Sequence, residues 1–245
     1  MTYFVTSDIH GYYKELIAAL DKAGFDKDNP NHCLITCGDH FDRGPEPFKV
    51  MEYLMSLPRK ILIRGNHEYL FEELCSRKVI YSYDITNGTA QTIADLVGGK
   101  KIPGMFNIAL EKTKEFFDSM VNYYETKNYI FVHSWIPTIV QDFLPAYYTR
   151  ERIVSWKSDW RKATQKEWNE AMWGDPFDMA AKGLNKTGKT IVFGHWHCST
   201  GWARFEGVPQ YSKWEPYYGE NFIAIDRCTA MTGEVNVIKI EDEVE

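Results

Sequence analysis

A buried strand that ends in a charged loop is the feature of this sequence that most constrains its fold. The apolar run before the loop predicts the strand, and Gly38 and Gly44 bound the loop. Between the glycines lie two carboxylates and a guanidinium, those of Asp39, Asp42 and Arg43. Such a loop can hold Asp39 between two cations and direct Arg43 at an anion bound to them.

The segments around this loop alternate between strand and helix patterns. Short apolar strands are predicted at residues 3–5, 33–36 and 60–63, with helices over residues 12–23 and 45–57 between them. This order implies right-handed parallel crossovers. In sheets of that kind, functional loops follow the carboxyl ends of the strands.

Two less regular segments interrupt the pattern within a single predicted domain of residues 1–245. Residues 69–128 and residues 137–188 are predicted to be largely helical inserts, and the second is rich in tryptophan. Four more strands are predicted, at residues 129–132, 190–193, 221–226 and 235–240.

Charge and composition argue against several classes of partner. The formal net charge of −6 gives no electrostatic reason to expect DNA or RNA as a bulk partner. No apolar run approaches the roughly 18 residues that span a bilayer, so no membrane association is expected. The five cysteines form an odd set without the density of a disulfide framework, which favours a cytoplasmic location.

Candidate metal ligands follow the ends of the predicted strands. They are Asp8, His10, Asp39, Asn66, His133 and His195. Each alone has an ordinary explanation, as a turn or helix cap or as a satisfied core histidine. Their shared position at one rim favours a metal site instead. Mixed nitrogen and oxygen ligands suit Mn²⁺, Fe, Zn²⁺ or Co²⁺ better than Mg²⁺ or Ca²⁺.

Five motifs in this order resemble the calcineurin-like metallophosphoesterase superfamily. They are Asp8-Ile9-His10-Gly11, Gly38-Asp39-His40-Phe41-Asp42-Arg43-Gly44, Arg64-Gly65-Asn66-His67-Glu68, Val132-His133 and Gly194-His195. The second and third are similar to the phosphoprotein phosphatase branch, which includes bacterial and phage Ser/Thr phosphatases and symmetrical diadenosine tetraphosphatases. The resemblance implies an α/β fold, a four-layer α/β/β/α sandwich with two central mixed sheets. We expect the first half to supply the parallel core and the last strands to supply the second sheet.

The resemblance also implies two divalent transition-metal ions, with Mn²⁺ expected and Fe, Zn²⁺ or Co²⁺ as alternatives. Asp8, His10 and Asp39 would bind the first ion. Asp39 would also bridge to the second ion. The other ligands of that ion would be Asn66, His133 and His195. Two carboxylates against two such ions leave positive charge for a phosphate dianion, and a water between the ions would be acidic enough to attack phosphorus.

Two histidines depart from the phosphoprotein phosphatase pattern. His197 follows His195 after one residue, and Gly-His-x-His resembles the wider superfamily, in which the second histidine completes the first metal's shell. We expect His197 to be a ligand, with a surface residue at the strand end as the alternative. His40 stands where the family often has an aromatic or aliphatic residue. We expect it to be a spectator, although it could shape the substrate entrance.

The family's catalytic acid matches His67, and the aspartate that orients the acid matches Asp42. The chemistry agrees, because an alkoxide leaving group needs a proton and a carboxylate partner fixes the imidazole. A turn cap is the alternative role of Asp42. Arg43 presents a planar fork that suits two phosphate oxygens. Arg64 is expected to contribute to substrate binding or to pair with a carboxylate such as Glu68.

The family usually adds another phosphate-binding arginine between the last two histidine motifs. Arg150, Arg152 and Arg161 are the candidates here, and the sequence does not choose among them.

We therefore expect a metal-dependent phosphatase that hydrolyses a phosphomonoester, most similar to protein Ser/Thr phosphatases. A dinucleoside polyphosphate hydrolase, cleaving diadenosine tetraphosphate or a similar anhydride, is the alternative within the same class. A metal-free scaffold that binds another protein is the alternative from a different class. The expected partner is a phosphorylated substrate, either a phosphoprotein or a nucleotide, and the sequence does not indicate an oligomeric state.

Overall fold

The computed structural model describes residues 1–99, 102–142 and 152–243. Within these ranges the strands are β1 Thr2–Thr6, β2 His32–Cys37, β3 Lys60–Ile63, β4 Tyr123–Glu125, β5 Tyr129–Val132, β6 Ile139–Asp142, β7 Arg152–Ser155, β8 Thr190–Phe193, β9 Tyr217–Gly219, β10 Phe222–Ala224 and β11 Ile238–Glu241. The helices are α1 Tyr13–Ala23, α2 Pro47–Ser56, α3 Asn66–Arg77, α4 Ser82–Thr86, α5 Thr89–Leu96, α6 Met105–Asp118, α7 Gln165–Ala171, α8 Pro176–Ala181, α9 Cys198–Glu206 and α10 Thr229–Thr232, with a 3₁₀ turn at Trp160–Lys162. None of the helices in the described ranges is both long and apolar enough to cross a membrane.

The first sheet has the strand order β11-β1-β2-β3, and β1, β2 and β3 run parallel to one another. Helices α1 and α2 make the two crossovers, as the alternation of patterns predicts. Helix α1 ends where Gly24 adopts a left-handed conformation with φ 79°, which a residue without Cβ reaches at little cost.

The second sheet has the order β4-β5-β8-β10-β9, in which β5, β8 and β10 are parallel and the two edge strands are antiparallel. The expectation that both closing strands join this sheet is wrong for the last one. Strand β11 pairs antiparallel with β1 at the edge of the first sheet. Its alternating pattern explains this position, because Ile238 and Ile240 are buried whereas Lys239 and Glu241 are exposed.

Three apolar clusters separate four layers. The middle cluster fills the space between the sheets and includes Tyr3, Val5 and Ile35 from the first sheet and Phe131 and Val192 from the second. An outer cluster lies under the helices of each sheet. This arrangement confirms the predicted α/β/β/α sandwich with two mixed sheets.

The two inserts differ in structure. The described part of residues 69–128 is mainly helical, and β4 near its end joins the second sheet. The described part of residues 137–188 contains helices α7 and α8 and also the strands β6 and β7, which pair antiparallel. The adjacent β-branched residues Ile139 and Val140 favour an extended chain, and they lie on the surface.

Candidate metal centre

Loops from both sheets meet at one rim, and backbone hydrogen bonds join neighbouring loops within each sheet. The amide of Asp8 donates to the carbonyl of Gly38 over 3.0 Å, and that of His10 donates to Asp39 over 2.9 Å. In the second sheet, the amide of Gly194 donates to the carbonyl of His133 over 2.8 Å. The loops after β1 and β2 are therefore joined through their main chains, and so are the loops after β5 and β8.

Left-handed backbone conformations are concentrated in these loops. Ten non-glycine residues of the described chain have positive φ, and six of them are candidate site residues. These six are Asp8, His10, Asp39, Asp42, Arg43 and His195, with φ between 51° and 72°. A residue with a Cβ atom adopts this conformation at a cost of about 1–3 kcal/mol, so the surrounding contacts must enforce it. Such strain is typical of functional sites.

The glycine of the last motif permits the closest approach of the two sheets. A Cβ atom at Gly194 would lie 2.1 Å from Oδ2 of Asp8. Without that atom, the amide of His195 donates to the same Oδ2 over 2.9 Å. Only glycine allows the Asp8 carboxylate to lie against the loop of the second sheet.

The first group of possible ligands consists of His10, Asp39 and His67, whose ligand atoms lie within 4.8 Å of one another. His10 donates from Nδ1 to the carbonyl of Phe41 over 2.9 Å, which leaves the Nε2 lone pair directed at the centre. Asp8 was predicted to belong to this group. It is buried beside Asp39 but is not among the three residues grouped here.

The second group consists of Asp39, His133 and His195, again with ligand atoms within 4.8 Å. His133 donates from Nδ1 to the carbonyl of Cys37 over 2.8 Å. Its Nε2 atom lies 2.8 Å from Oδ1 of Asn66 and 3.2 Å from Nδ1 of His195. Lone pairs of three residues therefore converge, and Asp39 is common to both groups.

The protonation preferences of these residues match a site for cations. Burial raises the pKa of the Asp8 carboxyl well above its usual value, and the neighbouring Asp39 raises it further. Burial would also raise the pKa of Asp39, but the surrounding imidazoles, led by His133, hold it well below its usual range. Burial and His133 lower the pKa of His195 to about 3. Burial also lowers the pKa of His10, so His10 and His195 favour the neutral imidazole that binds metals. Together with the buried, mutually repelling carboxylates, these imidazoles form a donor set that fits divalent transition metals.

Asp42, His67 and Arg43 form a connected unit at the edge of this centre. Nδ1 of His67 donates to Oδ2 of Asp42 over 2.7 Å. Burial lowers the pKa of His67, but the Asp39 carboxylate and the bond to Asp42 outweigh this effect and raise it overall. The terminal nitrogens of Arg43 lie 2.9 Å from Nε2 of His10 and 3.0 Å from Nε2 of His67. Arg43 is solvent-exposed, so its guanidinium reaches these two histidines from the solvent side of the centre.

His40 is a buried structural residue and does not line an entrance. Its side chain is fully buried, with Nε2 2.7 Å from the hydroxyl of Thr36 and Nδ1 3.1 Å from Oε1 of Glu68. Glu68 also accepts hydrogen bonds from the amides of Asp39, His40 and Gly65 over 3.1, 2.9 and 2.8 Å. Burial would raise the pKa of Glu68, but His40 outweighs it and lowers the pKa to about 2. The pair thus fixes the main chain that carries Asp39.

Sequence reasoning missed three further residues near the centre. Thr89 and Thr92 of α5 donate hydrogen bonds to Asp42, and nothing in their local sequence indicates this contact. Asp226 is buried, and burial together with the charge of Asp8 raises its pKa. The sequence carries a signal for it, because Asp226 ends the predicted strand at residues 221–226, close to where the predicted ligands stand relative to theirs.

The remaining predicted residues lie outside the two ligand groups. Nδ1 of His197 lies 2.8 Å from the hydroxyl of Ser199, and its ring contacts the rings of Tyr211 and Trp214. Arg64 forms an ion pair with the carboxylate of Glu72. A metal role for His197 and a substrate role for Arg64 therefore stay predictions.

Of the three candidate arginines, only Arg161 has a described side chain. Its guanidinium pairs with Glu125, with an Nε–Oε2 distance of 2.8 Å, and lies 4.4 Å from the ring of Trp160. Arg150 and the side chain of Arg152 lie outside the described part of the structure. A phosphate contact from this segment stays a prediction.

Comparison with known proteins agrees with this geometry. Residues 1–199 match the family described as calcineurin-like phosphoesterase. Over 68 residues the chain is 43% identical to a symmetrical bis(5'-nucleosyl)-tetraphosphatase of Buchnera aphidicola subsp. Acyrthosiphon pisum, covering 27% of this chain and 24% of the relative. Over 106 residues it is 30% identical to the asymmetrical bis(5'-nucleosyl)-tetraphosphatase PrpE of Halalkalibacterium halodurans, covering 39% and 42%. The matches thus span less than half the length of these curated relatives.

A solved structure extends the likeness over nearly the whole chain. The cold-active protein tyrosine phosphatase of a psychrophilic Shewanella species superposes with a TM-score of 0.52 over 98% of this chain and 75% of that one. The sequence identity is 15%, so this likeness shows the fold alone.

Proposed function

We propose that this chain, which belongs to the calcineurin-like phosphoesterase family, is a phosphomonoesterase that resembles protein Ser/Thr phosphatases. The observation that carries the proposal is the 2.7 Å contact between His67 and Asp42 beside the two ligand groups. A carboxylate-bound imidazole at this position suits a substrate whose leaving group must be protonated. An alkyl phosphomonoester is such a substrate. We further propose that residues 1–245 form one domain of this kind.

We propose that the residues of the two ligand groups other than His67 hold two divalent ions, with Asp39 shared between the groups. The buried lone pairs of His10, His133 and His195 and the repulsion between Asp8 and Asp39 support this assignment. When bound, such ions supply an acidified water and positive charge for the substrate phosphate. The mixed nitrogen and oxygen donors favour Mn²⁺, with Fe, Zn²⁺ or Co²⁺ as alternatives. We include Asp8, Asn66 and His197 in the proposed ligand set.

Arg43 is proposed to bind the phosphate. Its two terminal nitrogens lie within hydrogen-bond distance of Nε2 of His10 and Nε2 of His67, so a phosphate at that point would meet both arms of the fork. A planar guanidinium binds two phosphate oxygens in this way. Arg43 would thereby place the leaving group on the His67 side of the centre.

His67 is proposed to protonate the leaving oxygen, and Asp42 to orient it. The bond from Nδ1 to Asp42 fixes the ring, so that Nε2 is the atom that faces the centre. The raised pKa of His67 favours the protonated ring, as a general acid requires.

The names of the relatives favour a second candidate, hydrolysis of a dinucleoside tetraphosphate. The leaving group would then be a nucleotide phosphate, which is a weaker base than an alkoxide and depends less on protonation by His67. The two candidate functions therefore differ in how strongly the rate depends on His67. A reducing cytoplasm is the proposed location, since all five cysteines are free thiols.

A screen of the purified, Mn²⁺-supplemented protein tests the proposal. The substrates are a phosphoserine peptide, nitrophenyl phosphate, diadenosine tetraphosphate and a cyclic phosphodiester, each followed by kcat/KM. We expect the phosphoserine peptide to exceed the diester and the tetraphosphate. A preference for diadenosine tetraphosphate would select the second candidate, and no turnover of any substrate with metals bound would contradict both.

A further inference from the structure

Helix α5 of the first insert contacts the catalytic loop through two hydroxyl groups. Thr89 donates from Oγ1 to Oδ2 of Asp42 over 2.6 Å, and Thr92 donates to Oδ1 over 2.7 Å. Asp42 and Thr89 are fully buried, and Thr92 is nearly so. Each oxygen of this carboxylate therefore has its own hydroxyl donor in a place that water does not reach.

The same carboxylate also accepts the hydrogen bond from His67. Oδ2 receives both the Thr89 hydroxyl and Nδ1 of His67, over 2.6 and 2.7 Å. The donors come from two elements, α3 and α5. Three bonds from two directions leave the carboxylate one orientation, and that orientation fixes the plane of the imidazole.

The start of α5 also lies against the backbone of Arg43. A Cβ atom added to Gly88 would lie 2.5 Å from the Arg43 amide nitrogen and 3.2 Å from its Cα atom. Gly88 has φ +91°, a conformation that glycine adopts without strain. One end of the insert thus packs on the loop that carries both Asp42 and Arg43.

We propose that Thr89 and Thr92 are positioning residues for protonation of the leaving group. They hold the Asp42 carboxylate so that His67 presents Nε2 to the leaving oxygen, and α5 is thereby part of the catalytic unit. This role rests on the proposed function of His67 and Asp42. The competing explanation is that the two bonds only attach α5 to the domain.

Substitution by valine removes each hydroxyl while retaining a branched side chain. Thr89→Val is the cleaner variant, because the Thr92 hydroxyl also lies 3.3 Å from the carbonyl of Gly88. Thr89→Ser keeps the hydroxyl and serves as the rescue variant. Thr113→Val is the matched control, since Thr113 is equally buried in the same insert but donates over 2.8 Å to Ala109 within its own helix.

The readout is the ratio of kcat on an alkyl ester, phosphoserine, to kcat on nitrophenyl phosphate, measured with Mn²⁺-loaded enzyme. This ratio does not depend on the fraction of protein that is folded. Nitrophenolate is a weak base, so its departure needs little protonation. We expect each threonine-to-valine variant to lose about tenfold on the alkyl ester, which is a part of the about 10²–10⁴-fold that general acid catalysis contributes in full. The nitrophenyl ester should change less than about threefold, the scatter expected for an independent site.

Further results separate positioning from attachment. Thr89→Ser should restore the alkyl rate, Thr113→Val should leave the ratio unchanged, and Thr89→Val should add little loss in an Asp42→Asn background, because coupled residues are not additive. Equal losses on both esters, or full additivity with Asp42→Asn, would overturn the positioning role. An active wild-type enzyme with an unchanged ratio in both valine variants would also overturn it. A wild-type enzyme that hydrolyses neither ester would instead overturn the proposed function from which the role derives.

Discussion

The two sheets contribute unequally to the metal centre. Loops after the first three strands carry the carboxylates Asp8 and Asp39, as well as Arg43 and the Asp42–His67 pair. The second sheet supplies to the two ligand groups only imidazoles, those of His133 and His195. Under the proposed function, the first sheet would provide charge and proton transfer, whereas the second would complete the metal shell.

Support for the two sides is unequal as well. On the first sheet, Glu68 accepts hydrogen bonds from three backbone amides of the site loops, and Thr89 of α5 donates a hydrogen bond to Asp42. The second-sheet ligands bond to the first sheet itself, since His133 donates to the carbonyl of Cys37 and the amide of His195 donates to Asp8. The first sheet thus acts as the scaffold on which the second-sheet ligands are placed.

Asp39→Asn should have the largest effect, because it removes the carboxylate common to both ligand groups. Weakening one supporting group of a metal site costs about 10–100-fold, so weakening two sites should lower kcat/KM by about 10²–10⁴-fold. Elemental analysis should show fewer than two metal equivalents. Asp178→Asn, at an exposed ion pair with Lys182, is the control. A variant with both metals and wild-type turnover would remove Asp39 from its shared role.

His67→Asn should have the second-largest effect, a loss of activity whose size depends on the leaving group. We expect about 10²–10⁴-fold on an alkyl ester and a much smaller loss on nitrophenyl phosphate, with both metals retained. Asp42→Asn should show the same selectivity at smaller amplitude, since the proton donor remains. His32→Asn, at the start of β2, is the control. Equal losses on the two esters would assign His67 to metal or phosphate positioning.

Arg43→Ala should lower kcat/KM. The loss of transition-state stabilisation should be about 1.5–3 kcal/mol, the usual contribution of a hydrogen bond to a charged group. The melting temperature should remain close to that of the wild type, because the side chain is exposed. Arg204→Ala removes another exposed arginine, which pairs with Asp175, and should leave the kinetics unchanged. Normal kinetics with a large fall in melting temperature would show a structural role instead.

His195→Ala should have the smallest effect once metal is in excess. It removes one neutral ligand of the second group, so we expect metal affinity to fall by about 10–100-fold and added Mn²⁺ to restore most turnover. Excess Mn²⁺ should not restore the His67 or Arg43 variants. If Mn²⁺ rescued the first-sheet variants equally well, the division between the sheets would be wrong.

The rim and most of the fold could be predicted from the sequence because strand ends carry a local signal. An apolar run followed by Asp, Asn or His indicates a residue at the carboxyl end of a parallel strand, and parallel strands share that edge. This pattern predicts that Asp39, His133 and His195 lie at one edge. It would also have identified Asp226.

Long-range contacts carry no such signal. The bonds from Thr89 and Thr92 to Asp42 span 47 and 50 residues and depend on how α5 packs. The sequence of strand β11 fits an edge strand of either sheet. Its alternating pattern defines which face is buried, but it does not define which strand lies beside it. The left-handed conformation of Asp8 and its neighbours is imposed by the contacts between the loops, so residue type alone does not predict it.

Anomalous diffraction from crystals of the Mn²⁺-loaded protein tests the central claim most directly. We predict two manganese peaks about 3.5–4 Å apart, the usual spacing of two-metal sites, with the Asp39 carboxylate contacting both. One ion should contact His10, and the other should contact His133 and His195. A single peak, or two peaks that do not share Asp39, would contradict the account.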